Sequence, residues 1–242
     1  MIKNLAIFEA YNKNSNKKII GEHKVMKKRL LAILLTMCML LSGTSVATGA
    51  DQAFTDVSED AWYSDAVNFC YYWNLMNGTG DNKFSPNATL TRGMIVTILH
   101  RWDATPDASG FGNPFSDVPE GTWYTDAVKW AAANNIVNGY GDGKFGPNDP
   151  VTKEQLALLI YRISDGSGMI LPDIDVGRDF DDIYKTSVWA YEAVSELNKW
   201  GVFVNLPGNS FEPQTPATRA EVASILYRYI IVMTAANDGL GE

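Results

Sequence analysis

The chain has 242 residues, 46% of them hydrophobic, which is enough for a sizeable core in one or two domains. Its formal net charge of −8 is unevenly divided: residues 1–50 hold 8 Lys and Arg against 2 Asp and Glu, leaving 12 against 26 in the remainder. So acidic a remainder repels nucleic acid and anionic lipid, which excludes both as expected partners. Past residue 50 there is a single histidine, His100, and that rules out a histidine-based triad or a multi-histidine metal site.

In chain order, residues 1–25 are rich in lysine and asparagine, and they read as an extension upstream of the true start at Met26. Met26-Lys27-Lys28-Arg29, the apolar run Leu30 to Leu41 and the small residues Ser42 to Ala50 form a secretory signal peptide over 26–50. The apolar run is too short to span a bilayer. Cleavage after Ala47 or Ala50 leaves one cysteine, Cys70, and hence no internal disulfide. A secreted chain of this kind suits a Gram-positive envelope.

Beyond the leader, one segment is written three times, predicted over 54–102, 115–163 and 180–230. The copies start at Phe54, Phe115 and Phe180, 61 and 65 positions apart, and Pro86, Pro147 and Pro213 come 32, 32 and 33 residues after them. A fixed period of this size means that each unit completes its core against its neighbours, and it leaves no room for a separate catalytic domain.

Each copy reads as helix, loop, helix. Ala66, Phe69, Cys70 and Trp73 fall on one face of a first helix. Ala127, Trp130 and Ala131 repeat that face, as do Ala193, Glu196 and Leu197 with one polar lapse, so Cys70 is expected in the core. The second helices carry Ile95, Ile98, Leu99 and Trp102; then Leu156, Leu159, Ile160 and Ile163; then Val222, Ile225, Leu226 and Tyr229. Thr91, Thr152 and Thr218 stand as N-caps. Gln155 and Glu221 complete capping boxes, whereas Met94 leaves the first without its partner.

Between the helices lie glycine-rich turns, Asn77-Gly78-Thr79-Gly80-Asp81 and Asn138-Gly139-Tyr140-Gly141-Asp142-Gly143. Their glycines permit positive φ and a close backbone approach. The spacing of Asn138, Tyr140 and Asp142 mimics a calcium loop, but Tyr140 at the third position and the missing acidic pair argue against one. Gly139 to Lys144 is one residue short of a phosphate loop and ends in Phe145. In the third copy the turn is rebuilt as Asn205-Leu206-Pro207-Gly208-Asn209.

The combination of Phe-x-Asp-Val, Trp-Tyr-x-Asp-Ala-Val, Asn-Gly-x-Gly-Asp and Thr-Arg or Thr-Lys, repeated from residue 54 to about 230, resembles the S-layer homology domain family. The resemblance implies an all-α fold of three helix-loop-helix repeats, a pseudo-threefold trimer around a central helical bundle. It also implies clefts between the lobes that bind a secondary cell-wall polysaccharide, often pyruvylated. In that family the Arg of Thr-Arg-Ala-Glu is a main ligand contact. Here Thr218-Arg219-Ala220-Glu221 is intact, Thr91-Arg92-Gly93-Met94 keeps the Arg, and Thr152-Lys153-Glu154-Gln155 has Lys, which lacks the planar fork.

A cation at a helix N-terminus opposes the dipole, so its recurrence argues for use. Arg92, Lys153 and Arg219 are therefore expected to meet a ligand carboxylate. Trp62 and Trp123 are expected to line the sugar face, and Gly78 and Gly139 to let backbone approach the ligand. Trp189 stands at the third helix entry. Asp56, Asp117 and Asp182 could orient ligand hydroxyls, but they read rather as caps of the turn following each. No cofactor, no metal and no catalytic residue is expected, since Asp81 and Asp142 lie in different copies and make no glycosidase pair. Two alternatives stand beside wall anchoring: an S-layer or envelope scaffold acting through protein partners, and a small wall hydrolase. The turn difference predicts that the three clefts are not equivalent.

Overall fold

The computed structural model describes residues 54–166 and 170–238; the predicted leader and the segment upstream of it lie outside them. The expected helical class holds. Among the described residues six α-helices come in pairs along the chain: α1 (Ser64–Tyr72) with α2 (Arg92–Trp102), α3 (Thr125–Ala133) with α4 (Lys153–Gly166), and α5 (Tyr191–Lys199) with α6 (Arg219–Asp238). A short 3-10 turn, Ile183–Lys185, precedes α5. Among the described residues, extended backbone is limited to isolated bridges.

The caps form as the sequence predicts. The Thr152 hydroxyl accepts the Gln155 amide (3.3 Å) and Gln155 Oε1 accepts the Thr152 amide (3.1 Å). Thr218 and Glu221 exchange the same two bonds at 3.3 and 2.8 Å. Thr91 accepts from the Met94 amide at 3.4 Å and receives nothing back, because a thioether cannot return the bond.

Each second helix packs not on its own first helix but on that of the next copy. α2 lies against α3 and α4 against α5. The circle closes through α6 and α1, where the Phe69 and Tyr227 rings sit 5.0 Å apart and the Cys70 thiol faces the Ala223 carbonyl at 3.7 Å. Cys70 is fully buried as expected, and desolvation pushes its thiol up to about 12, with Arg219 offsetting part of that.

A ring of backbone hydrogen bonds fixes this exchange. The Leu90 amide donates to the Ala217 carbonyl (3.3 Å), Ala217 to Val151 (2.9 Å), and Val151 back to Leu90 (3.0 Å), all three residues being buried. The second helices then converge on Tyr229. Its ring lies 5.4 Å from that of Trp102, its hydroxyl is 2.9 Å from Ser164 Oγ, and burial pushes that hydroxyl far above its ordinary value. No described helix is long and apolar enough to cross a membrane.

Candidate functional site

The repeated order of motifs brings each second-helix N-terminus into a neighbour's loop, and those junctions are the candidate clefts. The Arg92 and Gly93 amides donate to Asp149 and Pro147, both at 2.9 Å. Lys153 and Glu154 donate to Thr215 and Pro213, and Arg219 and Ala220 to Ala88 and Pro86. The three cations therefore lie between repeats one and two, two and three, and three and one.

Those loops are held by the aspartates, which do not cap the turn next to them. Asp56 instead accepts the Phe84 and Ser85 amides at 2.7 and 2.8 Å, nearly thirty residues along the chain. Asp117 accepts those of Phe145 and Gly146, and Asp182 those of Phe211 and Glu212. Burial pushes the Asp56 and Asp117 carboxyls up, but these amides, each residue's own amide and a nearby lysine outweigh it and leave both below the usual carboxylate range.

The cations differ sharply. Arg92 donates from Nε to the Phe145 carbonyl (2.8 Å), and its guanidinium lies 4.8 Å from the centres of both the Tyr140 and Phe145 rings. Arg219 donates to the carbonyls of Phe84 and Asn77, both at 2.6 Å, with the Phe84 ring 4.4 Å away. Burial pulls both guanidinium groups down from their ordinary value, partly offset by Tyr140, Asp149 and Asp117 for Arg92 and by Asp56 and Cys70 for Arg219. Among the described residues neither arginine joins an ion pair.

Lys153 differs from both arginines in being paired within the protein. Its side chain is 6% exposed, and its ammonium is 2.9 Å from Glu221 and 3.3 Å from Glu212, so two carboxylates already hold it. Met94 and Gln155 stand where Glu221 does in the other copies, and Ser85 and Gly146 stand where Glu212 does, so of the three cleft cations only Lys153 joins an ion pair among the described residues. The cleft has a volume of about 210 Å³ and includes the rebuilt turn at Leu206, Gly208 and Asn209. That turn is pinned from outside by Arg178, which donates to the Leu206 carbonyl at 2.6 Å and to that of Gly208. Glu154 adds a further difference by accepting the Ser187 amide and hydroxyl, both at 2.9 Å. Its counterpart Gly93 has no such group, and a Cβ there would lie 2.9 Å from the Pro147 carbonyl.

The glycines are used by the protein itself. A Cβ on Gly78 would lie 2.7 Å from the Phe54 ring and 2.8 Å from the Lys83 carbonyl. One on Gly139 would lie 2.6 Å from the Phe115 ring and strike the Lys144 carbonyl. Their bareness admits the Phe54 and Phe115 rings. Gly139→Ala, at φ 65°, should cost about 2–4 kcal/mol through combined left-handed strain and overpacking. Thermal melting should drop accordingly, while binding by the folded fraction should be unchanged.

Trp62 and Trp123 precede their helices and are 40% and 61% exposed, each set edge-on to the next tyrosine at 5.2 and 4.9 Å. Trp189 is exposed as well. Tyr140 beside Arg92 is not among the residues that the motifs single out; its one sequence signal is a bulky aromatic in a turn otherwise built of small and polar residues.

The S-layer homology domain family matches residues 53–93, 114–157 and 179–223. The chain belongs to the S-layer homology domain family. An amylopullulanase from Thermoanaerobacterium thermosulfurigenes is 32% identical over 182 residues, 73% of this chain and 9% of the relative's own length. A cell surface protein from Thermoanaerobacter kivui is 32% identical over 139 residues, 56% of this chain and 18% of its own. A cellulosome-anchoring protein from Acetivibrio thermocellus is 26% identical over 157 residues, 64% of this chain and 35% of its own. The chain thus spans no more than about a third of these relatives. Family membership places this S-layer homology chain at the bacterial cell surface, attached to the wall.

Proposed function

We propose that the chain anchors non-covalently to the cell wall by binding an acidic, pyruvylated secondary polysaccharide in the clefts at Arg92 and Arg219. The observation that carries this reading is a pair of largely buried guanidinium groups that join no ion pair among the described residues. Removing such a charge from water is costly, and a bidentate carboxylate returns the most for it. The carbonyls and rings at each cleft orient the fork without neutralising it. Trp62 and Trp123 supply exposed aromatic faces on which sugar C–H groups can rest. The reading assigns the chain no reaction.

A second reading, contact with another envelope protein, draws on the third repeat, where Tyr184, Val188, Trp189 and Tyr191 are all more than half exposed. Co-sedimentation with purified walls separates the two. Binding should be lost when hydrofluoric acid strips the secondary polymer. Binding that survives stripping points to peptidoglycan, no binding at all favours a protein partner, and release of reducing sugar means hydrolysis.

A further inference from the structure

The clefts at Arg92 and Arg219 are alike in charge but not in what stands beside the guanidinium. The position of Tyr140 is occupied by Thr79 in the first copy and Leu206 in the third. Tyr140 is fixed on three sides. Its ring lies against Arg92, its hydroxyl donates to Asp149 Oδ2 at 2.9 Å, and its amide donates to the Lys144 carbonyl at 2.9 Å. Gly146 makes the room: a Cβ there would be 2.6 Å from the Tyr140 ring and would strike Asp149 Oδ2. The other copies carry Ser85 and Glu212 at that position. An aromatic ring held this firmly still leaves half of its surface, 51%, in solvent.

Arg92 itself is only 8% exposed. Nε is used by the Phe145 carbonyl, and the terminal nitrogens have no hydrogen-bond partner among the described residues. Arg92, more than nine-tenths buried as a residue, joins no ion pair among the described residues, although Asp149 and Asp117 act on its charge; flanked by two rings and open at its fork, it can still take an anion. Arg219 is less in want, since the Asn77 carbonyl already takes one of its terminal nitrogens.

We propose that Tyr140 positions the ligand, its exposed ring stacking on the C–H face of a sugar whose carboxylate pairs with Arg92, so that the cleft between repeats one and two is the principal site. This rests on the reading of the chain as a binder of an acidic wall polymer. The Trp residues cannot make this distinction, because all three copies have one. Tyr140 occurs once, and it confers ring recognition on one cleft.

The test is calorimetric titration of the full chain with the secondary polysaccharide released from walls, in native form and after chemical reduction of its carboxyl groups. Tyr140→Thr, which installs the residue of the first copy, should weaken binding to the native polymer by about 3- to 10-fold. Tyr140→Phe keeps the ring and should stay within about 2-fold of the unsubstituted chain. Arg92→Gln should weaken native binding more than Arg219→Gln does, and should do nothing further against the reduced polymer, where Tyr140→Thr still costs its several-fold. Melting curves for each variant confirm a folded population.

Three results overturn the proposal while leaving wall binding intact: Tyr140→Thr binding as tightly as the unsubstituted chain, Tyr140→Phe as weak as Tyr140→Thr, or Arg219→Gln carrying the larger loss. If the unsubstituted chain does not bind the native polysaccharide, the functional reading fails and this proposal fails with it.

Discussion

Arg92→Ala should weaken retention on cell walls by about 10- to 100-fold, the loss of one charge-assisted bidentate contact, whereas Lys153→Met should leave it within about 2-fold. Both residues open a second helix, and by motif alone they are equivalent. The difference is entirely in their surroundings. Arg92 has carbonyl and ring neighbours and no ion pair among the described residues; Lys153 is clamped by Glu212 and Glu221. A ligand carboxylate entering the second cleft would have to displace one of those glutamates, and would meet the other.

Lys153→Met should show itself in stability. Glu221 is mostly buried, 14% exposed, and would lose its closest cation while keeping Thr218; Glu212 is 56% exposed and can turn to water. The expected cost is about 1–2 kcal/mol, below the usual value for breaking a buried pair because one partner is solvated. The converse experiment is a gain. Glu212→Ser with Glu221→Gln installs the residues of the first and second copies and frees the ammonium, so avidity for an anionic polymer should rise several-fold. Equal losses on separate truncation of Arg92, Lys153 and Arg219 would falsify this ordering of the clefts.

The residues that the sequence makes legible are those whose partners are near in the chain. Thr152 with Gln155 and Thr218 with Glu221 lie three residues apart, and helical spacing exposes Ile95, Ile98 and Leu99 or the burial of Cys70 in the same way. The repeat further implies that each unit needs its neighbours. It does not say which helix meets which, because the bonds that join the copies at Leu90, Val151 and Ala217 lie in segments with no periodicity. The aspartates mislead for a related reason. A carboxylate before a turn is a local cap by default, and nothing in Phe-x-Asp announces amides nearly thirty residues ahead.

The cleft residues divide along the same line. The positions of Arg92, Lys153 and Arg219 can be read from the motif, and the inequivalence of the clefts from the rebuilt third turn. The neutralisation of Lys153 cannot, since Glu212 is 59 residues away and joins it only through the exchange of helices between copies. Gly78 and Gly139 mark a close approach in the sequence, but a sequence shows the missing side chain and not the Phe ring that fills its place.

Asp117→Ala should lower stability by about 2–4 kcal/mol and melting by roughly 5–12 °C, because it removes an ionised acceptor from two amides at once. The carboxylate joins the start of the second repeat to the loop that carries the Phe145 carbonyl, and that carbonyl holds Arg92, so wall binding should fall along with stability. The pH dependence tests the cause. Asp117 and Asp56 are held below the ordinary carboxylate range, so the folded state binds fewer protons than the unfolded chain in acid. Their contribution is present above about pH 4, the unfolded carboxyl value, and is lost as pH falls through the lowered folded values. The stability of the unsubstituted chain should therefore decline steeply below about pH 4, and Asp117→Ala should decline less over that window while starting lower. A variant that is equally destabilised at pH 7 and pH 3 would mean that the loss is one of packing, and that the carboxylate's charge does not hold the loop beneath Arg92.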